Sequence, residues 1–127
     1  LSEAICVDPA RAKEIWPYVG PLIKLAIDRG FSDFSAIEAN VFDGLHLIWL
    51  AWDGKKIRGV ALTGLVGDAC EIIAAAGERK QFMHLISVLE DYARAENRKR
   101  MRIIGRKGWK RLLPEYKQTA VVLERTL

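Results

Sequence analysis

Apolar residues recur along the chain with different periods, and the changes of period mark the element boundaries. Residues 4–7 form a short apolar run that stops at Asp8-Pro9, where an aspartate can cap a helix and a proline can take its first position. A strand followed by a helix is predicted there. The helix would bury Ala12, Ile15, Trp16, Val19, Ile23 and Ile27, but Pro17 and Pro21 each remove a backbone donor, so a kink or two abutting helices are expected. Gly30 reads as the C-cap. Ser35 with Glu38 three residues on reads as a capping box, opening a second short helix that ends near Phe42.

From Leu45 to Trp52 apolar residues occupy both alternating sets, which predicts a strand covered on both faces. Asp53-Gly54 signals a hairpin, Ile57 to Leu65 the return strand, Gly67-Asp68 a second turn, and Cys70 to Ala75 a third strand. Phe82, Leu85, Ile86, Leu89, Tyr92 and Ala93 then follow the three-and-four spacing of an amphipathic helix over Lys80 to Glu96. A strand over Met101 to Ile104, a short helix over Lys107 to Leu113 stopped by Pro114, and a final strand over Lys117 to Arg125 complete the pattern. Strand, helix and strand in that order imply a crossover and a parallel pair.

At 127 residues, half of them apolar, the chain is long enough for one domain over 1–127 with its own core. Its longest apolar run is far short of a membrane span of about 20 residues, so no membrane association is expected. Two distant cysteines, Cys6 and Cys70, fit free thiols in a reducing compartment. The opening Leu-Ser-Glu-Ala lacks the features of a signal peptide. Cytoplasmic residence is the expectation.

The formal charge of +4 hides an asymmetry: residues 94–111 carry nine basic side chains against the single acid Glu96, leaving −4 for the rest. Arg98, Lys99, Arg100 and Arg102 could therefore attract a phosphate-bearing partner, or equally form a solvated helix end. His46 and His84 have no second ligand at a zinc spacing, so both read as structural and no metal is expected. No nucleophile-elbow or phosphate-loop motif occurs.

The element order (strand, two helices, three-strand meander, long helix, strand, short helix, strand) resembles that of the GCN5-related N-acetyltransferases, the GNAT family. The resemblance implies an α/β (α+β) fold. Its mixed, mostly antiparallel sheet would contain one parallel splayed strand pair and carry helices on both faces. It implies acetyl-CoA as cofactor, its pyrophosphate on backbone amides at the start of the long helix. The matching positions here are Ile73, Ala74, Ala75, Gly77, Arg79, Lys80 and Gln81. Against the family pattern of Gln or Arg, two residues, Gly, one residue, then Gly or Ala, only Gly77 fits; Ala74 and Arg79 depart from it. Glu71 and Tyr116 fall where the family places its base and its acid, residue types suited to deprotonating an amine and protonating a thiolate.

The stretch Gly105 to Leu113 further resembles small GNAT-like proteins of tailed bacteriophages, which implies host cytoplasm or virion as the location. Three functions stand open from the sequence. The first is acyl-CoA-dependent transfer to an amine acceptor. The second is a noncatalytic virion or regulatory role through a protein partner or an oligomer, and the third is nucleic-acid binding through residues 94–111.

Overall fold

The computed structural model describes residues 2–27, 33–104, 108–121 and 123–127. Glu3–Cys6 form β1, after which the Asp8 carboxylate accepts the Ala10 N–H at 2.9 Å and Pro9–Arg11 make a single 3-10 turn. That turn runs into α1 (Ala12–Ile27), which buries Ala12, Trp16, Val19, Ile23 and Ile27 much as the spacing requires. The helix continues through Pro17 and Pro21 without breaking in two. Both prolines lie on its exposed face, so the carbonyls of Lys13 and Pro17, deprived of amide partners, are on the solvated side. Gly20 lies under the Trp16 indole, where a Cβ would come within 3.1 Å of the ring. The expected C-cap, Gly30, lies outside the described residues.

The cap of α2 (Phe34–Phe42) differs from the expected box. Asp33 supplies it, accepting the Ser35 N–H at 3.1 Å, because Ser35 already belongs to the first turn. Glu38, freed from capping, instead accepts the indole N–H of Trp16 at 2.7 Å and ties α2 to α1.

Four further strands follow: β2 (Leu47–Trp52), β3 (Ile57–Val66), β4 (Ala69–Gly77) and β5 (Arg100–Ile103). They lie in chain order in one sheet, antiparallel throughout except for the parallel β4–β5 pair. The crossover between those two is α3 (Arg79–Ala95), which ends where Asn97 takes a left-handed φ of 58°. There the Arg98 N–H reaches the Ala93 carbonyl at 2.9 Å.

Side chains alternate across the sheet, so each face has its own core. On one face Ile48, Leu50, Val60, Leu62 and Ala74 pack against α1 and α2. On the other Trp49, Ala51, Ala61 and Ile72 pack against Phe82, Leu85, Ile86 and Leu89 of α3. β2 is thus buried on both sides, and the one polar side chain in its path, Thr63, accepts the Trp49 indole N–H at 2.9 Å. The short α4 (Gly108–Leu112) joins the second face through Trp109, whose ring lies 4.6 Å from Phe82. Mixed sheet, one parallel pair and helices on both faces match the fold class read from the sequence.

The final strand expected over Lys117 to Arg125 is not present among the described residues. Val121 and Leu123 are 67% and 91% exposed. A β-favouring run forms a strand only against a partner ladder, and the neighbouring edge, β5, is four residues long.

Candidate functional site

Among the described residues the sheet opens between β4 and β5. In the β3–β4 ladder Leu62 pairs with Ala74 and Thr63 with Ile72, so Ile73 is an extra residue, a β-bulge. The parallel ladder with β5 runs from Ala69 against Arg100 to Ile72 against Ile103 and stops there, beside the bulge. Beyond it, Ile73 to Gly77 have no partner on the β5 side among the described residues. The Glu78 N–H donates to the Arg58 carbonyl at 3.0 Å. By antiparallel alternation Ala76 and Ala74 also face β3, so the amides and carbonyls of Ala75 and Gly77 face the opening.

That free edge leads straight into α3. Gly77 has φ 131°, and a Cβ on it would lie 2.5 Å from the Gly59 Cα and 2.6 Å from the Arg58 carbonyl oxygen. Only glycine allows the strand to leave the sheet so closely. Glu78 takes the N-cap position without making a side-chain cap, and the first intrahelical bond is Phe82 N–H to the Glu78 carbonyl at 2.9 Å. The amides of Arg79, Lys80 and Gln81 therefore open outward, as an anion requires. The Glu78 carboxylate is turned back to Arg58 at 3.0 Å, and Arg58 is held in turn by Asp53 at 2.6 Å. Arg79 and Lys80 are exposed, while the Gln81 carboxamide accepts a hydrogen bond from the Ser2 hydroxyl. The residues present thus fit an extended ligand bearing phosphates, with Ile73, Ala74, Ala75 and Gly77 along one side and the α3 amides at its end.

Glu71 lies on the face covered by α1 and α2. It pairs with Gly64 across the antiparallel ladder and accepts from the Arg102 guanidinium at 2.8 Å; its side chain is 13% exposed. His46, just before β2, lies over Gly64: a Cβ there would be 3.0 Å from Nδ1 and 3.7 Å from the Ile73 Cδ1. Burial pushes the imidazole below its ordinary pKa, opposed by the Leu45 carbonyl and the Glu71 charge. Nothing in the sequence pairs His46 with Glu71, since 25 positions separate them; the only local signal is a glycine at 64 in the second half of β3.

Tyr116 lies on the opposite face, packed with the α3 cluster. Its hydroxyl donates to Glu90 of α3 at 2.7 Å, and burial followed by that carboxylate pushes the phenol far above its ordinary pKa. The structure does not bring Tyr116 and Glu71 together.

Much of the basic segment is internally engaged. Arg100 reaches Asp68 through Nε at 3.1 Å and Nη2 at 2.6 Å, Arg98 donates to the Gly67 carbonyl, Arg102 binds Glu71, and Arg94 binds Asp91. A phosphate-bearing partner there would draw on exposed Lys99 and Arg111 or displace these bonds. Arg106 and Lys107 lie outside the described residues. No helix among the described residues is long and apolar enough to cross a membrane.

No protein-family model matches the chain and no curated protein matches it in sequence. Solved structures do. An aminoglycoside acetyltransferase from an uncultured soil metagenomic sample, in complex with sisomicin, matches with a TM-score of 0.71 at 10% identity, over 99% of this chain and 96% of the other. A protein from Clostridium acetobutylicum described as a predicted acetyltransferase, with acetyl-CoA, matches at 0.68 and 12% identity over the same shares of the two chains. The ribosomal-protein-alanine N-acetyltransferase of Brucella melitensis biovar Abortus 2308 matches at 0.63 and 15%, over 100% and 96%. The chain has the GNAT fold. These three structures do not bear on the phage resemblance.

Proposed function

We propose that the chain is an acyl-CoA-dependent N-acyltransferase that carries an acetyl group to an amine. One observation carries the reading: the parallel β4–β5 ladder ends at the Ile73 bulge, and the edge it frees runs directly to the uncapped start of α3. An extended arm bearing amides can take the ladder bonds that β5 leaves unmade, while phosphates take the helix amides. Arg79 and Lys80 add positive charge at that end. Arg58 holds the Glu78 carboxylate away from it. Acetyl-CoA supplies an activated thioester when bound. Glu71, on the α1 and α2 side, offers negative charge to an incoming ammonium group. That two of the similar structures hold acetyl-CoA and sisomicin supports the same reading.

Isothermal titration of the protein with acetyl-CoA and with CoA tests it. Micromolar binding, weakened about tenfold or more by Arg79→Glu, is the expected result. Absence of binding at millimolar ligand would overturn it.

A second reading is a protein of this fold that binds a partner without turnover, as a phage or virion component or a regulator. It draws on Arg79 standing where the family has a small residue close to the phosphates, and on the negative charge of Glu78 beside it. Ligand binding with no thiol release to any amine would favour it.

A further inference from the structure

His46 is the part of this site that the acyltransferase reading leaves without a task. Its ring is accommodated by a missing side chain: at Gly64 a Cβ would lie 3.0 Å from Nδ1 and 3.3 Å from Cε1. Gly64 faces Glu71 across the ladder, and the Ile73 Cδ1 lies 3.7 Å from the position of that same Cβ. The imidazole therefore lies over the strand pair that carries Glu71, next to the bulge that opens the sheet. Its Nδ1 is buried and makes no well-formed hydrogen bond among the described residues, with only the adjacent Leu45 carbonyl acting on the ring, an arrangement that costs stability and is uncommon unless the group has work to do. Its Nε2 lies 3.4 Å from Asn40 Nδ2, a contact long enough to yield to a better partner.

Few charged groups face the ring. β4 presents Glu71, and β5 presents Arg102, which is already bound to Glu71 at 2.8 Å. From α2 comes the neutral Asn40, and from β3 the bare Gly64. Burial favours the neutral ring that a proton acceptor requires, and the nearby Glu71 charge makes the protonated form tolerable once it is made.

We propose that His46 is the proton acceptor of the site, receiving the proton of the acceptor ammonium at Nε2, with Glu71 as the positioning charge for the imidazolium. This rests on the acyltransferase reading above. The ammonium gives one proton to His46, and the neutral amine forms the new C–N bond at the thioester carbonyl. The C–S bond breaks, the thiolate leaves with its electron pair and takes up the second amine proton, and His46 returns its own proton to water. The sum is ammonium plus thioester giving amide, thiol and one proton.

The test uses the whole protein, acetyl-CoA, and glycinamide as a generic amine, with thiol release followed across pH. The wild-type rate should fall on the acid side as His46 becomes protonated. His46→Gln should lower the rate about 100-fold and remove that limb, with calorimetric acetyl-CoA affinity unchanged. Glu71→Gln should move the limb to lower pH, because the charge that favours the imidazolium is gone. The same displacement should appear without turnover in an NMR titration of the His46 ring, with the exposed His84 as internal reference. Gly64→Ala keeps the imidazole but presses on Nδ1, and should lower the rate severalfold in a folded protein. Acetyl-CoA binding with full activity and an intact limb in His46→Gln would overturn the role of His46 alone. An NMR titration unmoved by Glu71→Gln would overturn its coupling to Glu71. No acetyl-CoA binding by the wild type would overturn the acyltransferase reading itself.

Discussion

The Gly77 and Gly59 backbones approach so closely that a single methyl group on Gly77 would sit 2.5 Å from the Gly59 Cα. No side-chain rotation can relieve that contact, because both parties are main chain, and φ at Gly77 is 131° besides. Gly77→Ala should therefore cost about 3 kcal/mol, from overpacking and from backbone strain together. Urea unfolding measures it, and a loss below about 0.5 kcal/mol, the range of an ordinary surface change, would refute the close approach.

Arg58 joins the hairpin to the start of α3. It binds Asp53, which also accepts the N–H groups of Lys55 and Lys56 at 2.8 Å, and it binds Glu78. Arg58→Gln releases the Glu78 carboxylate beside amides that an anion would otherwise use. Acetyl-CoA affinity should fall roughly three- to tenfold, and adding Glu78→Gln should restore it. An unchanged affinity in the single variant would show that the carboxylate never reaches those amides.

Trp16 is 7% exposed, and its indole N–H donates to the Glu38 carboxylate at 2.7 Å, its one partner among the described residues. Removing that partner by Glu38→Ala strands a donor beside the core and should cost roughly 1–3 kcal/mol, whereas Glu38→Gln, which keeps an acceptor, should cost less. A double-mutant cycle with Trp16→Phe isolates the bond. Strictly additive losses would mean that the two residues stabilise the protein independently.

The two thiols should behave differently. Cys70 is fully buried, and desolvation pushes its pKa up to about 11 from an ordinary 9.0; Cys6 is exposed. Because the folded state favours the neutral thiol, the contribution of Cys70 to stability is complete below about pH 9 and is lost as pH rises through 11. The unfolding free energy should decline over that window and decline less in Cys70→Ala. At neutral pH iodoacetamide should label Cys6 in the native protein and Cys70 only after unfolding. Equal labelling of both thiols in the native state would contradict the burial.

Elements set by local pattern were legible in the sequence. The spacing of Phe82, Leu85, Ile86 and Leu89 is the face that α3 buries, and the unbroken apolar run before Trp52 is a strand covered on both sides. The parallel crossover followed from element order alone. Expectations failed where an outcome depended on position in space. Pro17 and Pro21 do not break α1 in two because both lie on its exposed face, where the carbonyls they leave without amide partners meet water. Ser35 and Glu38 have the spacing of a capping box, but Asp33 takes the cap and Trp16 takes Glu38.

The site was less legible than the fold. Gly77 could be singled out as the glycine of a close turn, yet its neighbour Gly59 is a strand away. The bulge at Ile73 left no mark in a run of small apolar residues. His46, read as structural, acquires its setting from Gly64, Glu71 and Ile73, all brought by pairing between strands.

The extra residue in β4 has a meaning for insertion and deletion. Ile73 and Ala74 both pack toward α1, and Ile72 and Ala75 on either side of them pack toward α3. Excising Ile73 would leave every other β4 side chain on its present face, and the cores would lose no residue but Ile73 itself. What would go is the bend, and with it the reason for β5 to stop at Ile103. A protein one residue shorter could keep this hydrophobic pattern whole and have a continuous sheet where this one has a doorway.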